Sequence, residues 1–420
     1  MLLNNSLAID ESEWESAIEL LVQLIQAHPV YASQGLRKSQ DLVIEYLKKN
    51  QWASVFEDPF LAIDLQHDAE YVDVRQFGSF YADYEFVPKR NVIGIVESDH
   101  PGPTLIFNGH IDVDLVTAGN LWQDKEGWKS GKRVGSKIYG RGSCDMLAGL
   151  VGLIAAVNHL SKNRSHWRGR IILTVVTDEE IGGNGTLRSL HWLEERGLLS
   201  EASGCLIAEP TGRKVSLSSL GFLHFSIEVH KKPLHMGAAK KEENSIWIIS
   251  HLVQEFERIL LKAAQKIHPS HALNELTSNF GIIQGGDDPA IPIPKIQLEG
   301  AIFHPKHLHT NELKNEISNE LNARFPEVLL HWGDFSFEGA KYSPFFLYHT
   351  LLETAPGVQE GEFRSPCDAR LFLKHNIPTV IYGPGFLEQA HAVDEFICLN
   401  ELRSYIDHLI RSLCHGNRPC

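Results

Sequence analysis

The chain has 420 residues, and its 53 Asp and Glu outnumber its 39 Lys and Arg to give a formal net charge of −14. At roughly 100–200 residues per domain this length suggests two or three domains, with a core large enough to need no disulfide or metal staples. Apolar residues at 43% and charged residues at 22% exclude fibrous and disordered classes, and an acidic chain without a long Lys or Arg run is a poor partner for nucleic acid.

The opening MLLNNSLAIDESEWES has no basic start and no long apolar run, so no secretory leader is expected. Glu13–His28 places Trp14, Ile18, Leu21, Leu24 and Ile25 at helical spacing, and Ser39–Lys49 does the same with Leu42, Val43, Tyr46 and Leu47. Asn91–Val96 reads as a strand. Four later runs then end on polar residues. Thr104–Asn108 leads into Gly109-His110-Ile111-Asp112, and Arg170–Thr177 into Asp178-Glu179-Glu180. Gly204–Ala208 leads into Glu209, and Pro378–Tyr382 into Gly383-Pro384-Gly385. These runs are continuously apolar, the mark of strands buried on both faces of a parallel sheet. Leu147–Leu160 lies between two of them as a long apolar helix. Strands alternating with helices predict an α/β fold, in which ligands bind beyond the carboxyl ends of the strands.

A different texture separates the third run from the fourth. Lys214–His230 alternates through Phe222, Phe225, Ile227 and Val229, as a half-exposed strand does. Ser245–Gln265 is an amphipathic helix. Asn279–Ile283, Gln297–Phe303 and Val328–Phe337 read as strands, and Glu312–Asn322 as a helix. The spacing predicts an inserted α+β domain over 215–338, with 1–214 and 339–420 forming one discontinuous domain around it. No stretch of about 18 apolar residues offers a membrane span. The six cysteines, Cys144, Cys205, Cys367, Cys398, Cys414 and Cys420, are scattered without a CxxC, which fits free thiols in a cytoplasmic protein.

The chemistry-bearing residues gather at the predicted strand ends: His110 and Asp112, Asp145, Glu179 and Glu180, Glu209, and a late His391. Imidazole and carboxylate are ligands for zinc and similar divalent ions. A spare carboxylate suits a supporting role beside a ligand His, a place Asp112 occupies in sequence. Another suits a general base. Each piece alone is weak: an HxD pair or an EE pair is ordinarily a solvated face. The GGNG at 182–185 lacks the Lys and Ser/Thr of a phosphate loop and reads as a tight turn beside the site.

The segments NGHIDVD, GRGSCDM, TDEEIGG, AEPT and GPGFLEQAHAVDE resemble, in order, the signature blocks of the M20 family of metallopeptidases and deacylases. The family includes acetylornithine deacetylase, succinyl-diaminopimelate desuccinylase and aminoacylase. The resemblance implies a mostly parallel zinc-peptidase-like catalytic domain with an inserted lid and dimerisation domain, and two divalent ions, zinc or alternatively cobalt or manganese. It implies that His110 and Glu209 bind one ion and Glu180 and His391 the other. Asp145 bridges the two, Asp112 orients His110, and Glu179 is the general acid/base. His235, in Pro233-Leu234-His235-Met236-Gly237-Ala238, matches a lid His that hydrogen-bonds the oxyanion, either in its own subunit or in the partner of a homodimer. Arg370, in CDARLF, matches an Arg near the substrate pocket; a structural salt bridge is the other reading.

The implied substrate is a small N-acyl amino acid. A dipeptidase or carboxypeptidase, hydrolysis of a non-peptide C–N bond, and a catalytically dead binding module are the alternatives. Three departures weigh against a standard succinyl-diaminopimelate substrate. Leu147-Ala148-Gly149 replaces the usual Lys-Gly-Gly, the lid strand Glu299-Gly300-Ala301-Ile302-Phe303 has no Arg, and Asp287-Asp288-Pro289-Ala290 stands where an Asn is common. His304, His307 and His309 have chelating spacing but no nearby acids in sequence. His268 and His271, flanking Pro269, read as loop residues.

Overall fold

The structure is a computed structural model that describes residues 8–77, 81–116, 119–269 and 276–415; His271 and Cys420 lie outside these. The chain folds as two compact units. The first comprises Met1–Ser218, Tyr342–Phe363 and Cys367–Cys420, and the second Ser219–Lys341 with Arg364–Pro366. The limits read from the sequence, 215 and 338, fall a few residues away from these.

An eight-stranded sheet organises the first unit. Its four central strands, in spatial order Arg170–Val176, Thr104–His110, Ala202–Pro210 and Thr379–Gly383, are mutually parallel. All seven residues of Thr104–His110 are buried, which is why no alternation shows in their sequence. Lys89–Glu97 and then Ser54–Phe60 extend one side antiparallel. On the other side lie Lys214–Ser216 and Gln359–Gly361. The parallel centre brings the carboxyl ends of four strands to one edge.

Helix Leu147–Lys162 is buried at every position as far as Leu160. A side chain at Gly149 would meet the Ala208 carbonyl oxygen at 2.0 Å, so the helix backbone rests directly on the Ala202–Pro210 strand. Helices Glu11–Ala27 and Leu399–His415 pack against it and share its apolar core. Asp10 caps Glu11–Ala27 by accepting the Glu13 N–H at 2.8 Å, and His28 ends it in a left-handed conformation.

The periodicity missed several features. Gln34–Lys49 starts at a Ser33 cap, ahead of the expected Ser39, because its first turn is largely polar. Ser54–Phe60 carries two acids and Pro59, which only an edge strand tolerates. The expected single strand over Lys214–His230 is interrupted: Lys214–Ser216 joins the large sheet, and strict alternation begins at Gly221.

The second unit runs strand, helix, strand, strand, helix, strand. Its antiparallel sheet has the spatial order Thr277–Gly285, Lys295–His304, Gly221–His230, Val328–Phe337. Leu223, Phe225, Ile227 and Val229 point into a core shared with helices Ser245–Ile267 and Thr310–Arg324.

Candidate active site

The strand ends of the first unit deliver the predicted residues to one place. His110 is the last residue of its strand, and Glu209 lies near the end of the adjacent one. Glu179 and Glu180 follow Arg170–Val176. Asp145 sits in the turn before Leu147–Lys162, and His391 comes from the loop after Thr379–Gly383. His110 Nε2 lies 3.4 Å from Asp145 Oδ1, 3.8 Å from Glu179 Oε2 and 3.9 Å from Glu209 Oε1. His391 Nε2 lies 3.0 Å from Glu180 Oε2 and 3.5 Å from Asp145 Oδ2. The two oxygens of Asp145 therefore face two different imidazoles.

Buried polar atoms are nearly always paired, yet His110 Nε2 and Glu209 Oε1 are buried without a hydrogen-bond partner. His110 Nδ1 is 2.9 Å from the Asp112 carbonyl oxygen. A carbonyl only accepts, so Nδ1 carries a proton and Nε2 faces the acids. Two sets, His110 with Glu179 and Glu209, and His110 with Asp145 and Glu180, are close enough for each to hold an ion. This nitrogen and oxygen donor set, with its orphaned atoms, fits divalent cations.

The electrostatics point the same way. Burial, reinforced by the Glu209 charge, pushes the Glu179 carboxyl well above its usual range, and burial with Asp145 does the same to Glu209. Burial also raises Asp112, to about 8. Asp145 goes the other way: burial would raise it, but the His110 and His391 imidazoles facing its two oxygens hold it well below the usual range. The Glu180 charge, first among several causes, lifts His391 to about 12. Five carboxylates crowd two imidazoles, a surplus of negative charge that cations balance.

Asp112 differs in detail from its expected place. Its carboxylate is 3.7 Å from His110 Nδ1, and it accepts the backbone N–H groups of Glu180 at 3.2 Å and Glu179 at 3.4 Å. Its carbonyl meets the His110 ring, and its carboxylate meets the backbone of the Glu179-Glu180 loop. Gly182 and Gly183 both have positive φ, and helix Asn184–Glu194 begins directly after them, so the GGNG segment is a turn that opens a helix.

Arg370 lies beside the Gly182 turn. It is buried, and its guanidinium donates to Glu70 Oε2 at 2.5 Å and to the Gly182 carbonyl at 2.8 Å. Through these bonds Arg370 ties Glu70 to the Gly182 turn, the salt bridge of the second reading. His235 lies in the second unit, exposed, its Nδ1 accepting the Gly237 N–H at 3.1 Å. His304 is buried beside the Pro305 carbonyl, while His309 is exposed near Glu338, and among the described residues the groups close enough to hold an ion include none of the three closely spaced histidines.

Three site-supporting residues escaped the sequence reading. Asp114 Oδ2 lies 3.4 Å from His391 Nδ1. Glu395 and Arg141 form a buried pair at 2.9 Å beneath the site. Both Asp114 and Glu395 stand inside the recognised blocks, at HIDVD and HAVDE, and a second carboxylate beside each ligand was the available signal.

A model for peptidase family M20/M25/M40 matches residues 106–415. A succinyl-diaminopimelate desuccinylase from Rickettsia akari is 24% identical over 363 residues, covering 80% of this chain and 91% of its own. Among solved structures, an M20 family metallo-carboxypeptidase from Sulfolobus solfataricus superposes with a TM-score of 0.70 at 16% identity, over 97% of this chain and 99% of its own. A dinuclear metal-binding peptidase of the M20 family from Bacillus subtilis does so at 0.57 and 14% identity, over 97% and 99%.

Proposed function

The chain belongs to peptidase family M20/M25/M40, and from that premise we propose that it removes the acyl group from a small N-acyl amino acid, with two divalent ions, zinc in the first instance. The observation that carries the reading is the pair of orphaned buried atoms, His110 Nε2 and Glu209 Oε1, facing an Asp145 carboxylate shared between two histidines. His110 and Glu209 would hold one ion, Glu180 and His391 the other, and Asp145 would serve both. When bound, the ions supply Lewis acidity toward the amide carbonyl and toward water.

Glu179 does the proton work. Its burial and its neighbour Glu209 raise its pKa, which suits a group that takes a proton from water and returns it to the departing amine. Asp112 fixes the Glu179-Glu180 backbone and, through its carbonyl, aims His110 Nε2. His235, in its own subunit or in a partner's, would supply a hydrogen bond to the oxyanion. An N-acyl amino acid is favoured over a dipeptide by the Rickettsia akari desuccinylase, whose length is matched almost throughout. Five described cysteines are unpaired, which supports a cytoplasmic setting. The protein acts as a homodimer joined through its second unit.

Metal analysis, Glu179→Ala and a substrate screen test this reading together. Two divalent ions per chain are expected, along with a loss of roughly 10²–10⁴-fold in kcat for the variant. N-acetyl, N-succinyl, N-formyl and N-aromatic amino acids should turn over faster than dipeptides. A metal-free protein or a fully active variant rejects the mechanism, and faster dipeptide turnover reassigns the substrate.

A further inference from the structure

Asp145 and His391 are the two proposed ligands not carried by a strand or its immediate continuation, so something else must set their spacing. Asp145 lies in a turn between Lys137–Tyr139 and the helix Leu147–Lys162, and His391 in the loop before Phe396–Cys398. Those two short strands pair antiparallel, Tyr139 opposite Phe396, so the chain leaving one runs beside the chain entering the other. Glu395 and Arg141 sit at that crossing, both buried.

The Glu395 carboxylate is fully engaged on the Asp145 side. Oε1 accepts the N–H of Cys144 at 2.8 Å and of Asp145 at 3.2 Å, and Oε2 accepts the Gly142 N–H at 3.1 Å. Its backbone carbonyl accepts the Gly140 N–H at 2.9 Å. The Arg141 guanidinium closes the other side, donating from Nη1 to Glu395 Oε2 at 2.9 Å and from Nη2 to the His391 carbonyl at 3.1 Å. One carboxylate thus gathers three amides of the Asp145 turn, and one guanidinium ties that carboxylate to the His391 backbone. A neutral Asn or Gln cannot replace Glu395, because its NH₂ would face donors.

We infer that Glu395 and Arg141 are positioning residues that set the distance between Asp145 and His391, and so tune the affinity of the ion bound between those two and Glu180. The inference rests on the two-ion reading above. Partners of this kind around metal ligands commonly govern 10–100-fold in metal affinity.

The test is stepwise zinc titration of metal-stripped protein against a competing chelator, with bound zinc counted by mass spectrometry and folding followed by circular dichroism. Wild type should take up two ions. Glu395→Gln and Arg141→Met should each weaken the second ion tenfold or more, with Arg141→Met leaving the first within about threefold of wild type. Arg141→Lys, which keeps the charge but offers no fork to span both acceptors, should fall between Arg141→Met and wild type. Arg141→Met removes both guanidinium bonds, to Glu395 and to the His391 carbonyl, while the three amide bonds to the Glu395 carboxylate stay in place, and it stands as the deciding variant if Glu395→Gln fails to fold. Folded variants that keep both ions at wild-type affinity, with only a lower Tm, overturn the positioning role and leave the two-ion reading intact. A wild type that binds no zinc overturns both.

Discussion

A buried carboxylate has two fates in this protein, decided by what faces it. At the candidate site Glu179 and Glu209 face other acids, and burial drives them toward protonation. Glu13, on the first helix, is also buried but faces hydrogen-bond partners rather than acids: Oε2 lies 2.8 Å from His159 Nδ1 and Oε1 accepts from Lys162 Nζ at 2.9 Å. Burial works to raise its pKa, but the hydrogen bonds from His159 and Lys162 outweigh this and bring it to about 2. A depressed folded pKa means stability that is present in full above the ordinary value near 4.5 and is lost as pH falls toward about 2. Glu13→Gln should therefore cost about 2–3 kcal/mol at pH 7, where two charge-assisted bonds are lost. In urea unfolding, the gap between variant and wild type should close as pH drops from about 4.5 to 2. A gap of constant size would show that the charge of Glu13 contributes nothing.

At the scale of elements, the helix Leu147–Lys162 carries the site because it lies so close to the sheet. Gly149→Ala adds a methyl group 2.0 Å from the Ala208 carbonyl oxygen. Helix propensity alone would favour the change by about 1 kcal/mol, but overpacking against backbone costs about 1–3 kcal/mol, and a 2.0 Å overlap places it at the upper end. The displaced strand carries Glu209 directly after Ala208, so zinc uptake should weaken along with Tm. Gly281→Ala, whose added Cβ meets nothing nearer than 3.7 Å, should change neither. Equal effects from both substitutions would remove the close-approach argument. The sequence showed the buried strands and Leu147–Leu160 plainly, because continuous apolar runs have few alternatives, and it brought His110, Glu179, Glu180 and Glu209 into view because each follows such a run. It hid what depends on neighbours. Ser54–Phe60 is a strand only because an edge spares Pro59 a ladder bond. Arg370 is a brace only because Glu70, 300 positions away, faces it. Glu395 reads as one more surface acid until the Asp145 turn is folded over it.

For the whole molecule, the acidic surplus sharpens the question of self-association. A net charge of −14 repels a second copy, but screening confines that repulsion to about 8 Å at physiological salt, so an apolar strip suffices to join two chains. The second unit has one. Thr277–Gly285 is an edge strand, exposed along most of its length, with Ile282 and Ile283 at 45% and 60% exposure. The helix beside it, held there by Phe256 against Phe280 with ring centroids 4.9 Å apart, exposes Trp247, Val253 and Leu261. An unpaired edge flanked by apolar side chains is a template for a matching strand, and a twofold axis through it would extend the sheet from one copy into the next. Light scattering should therefore give twice the 47.2 kDa chain mass for the wild type and the single chain for Ile283→Pro combined with Leu261→Glu. Both should stay folded, because neither position belongs to the core. If the dimer also places His235 in its partner's site, mixing His235→Ala chains with Glu179→Ala chains should restore activity, since a quarter to a half of the sites would regain both groups. A monomeric wild type rejects the assembly, and a dimer whose mixed chains stay inactive confines His235 to its own subunit.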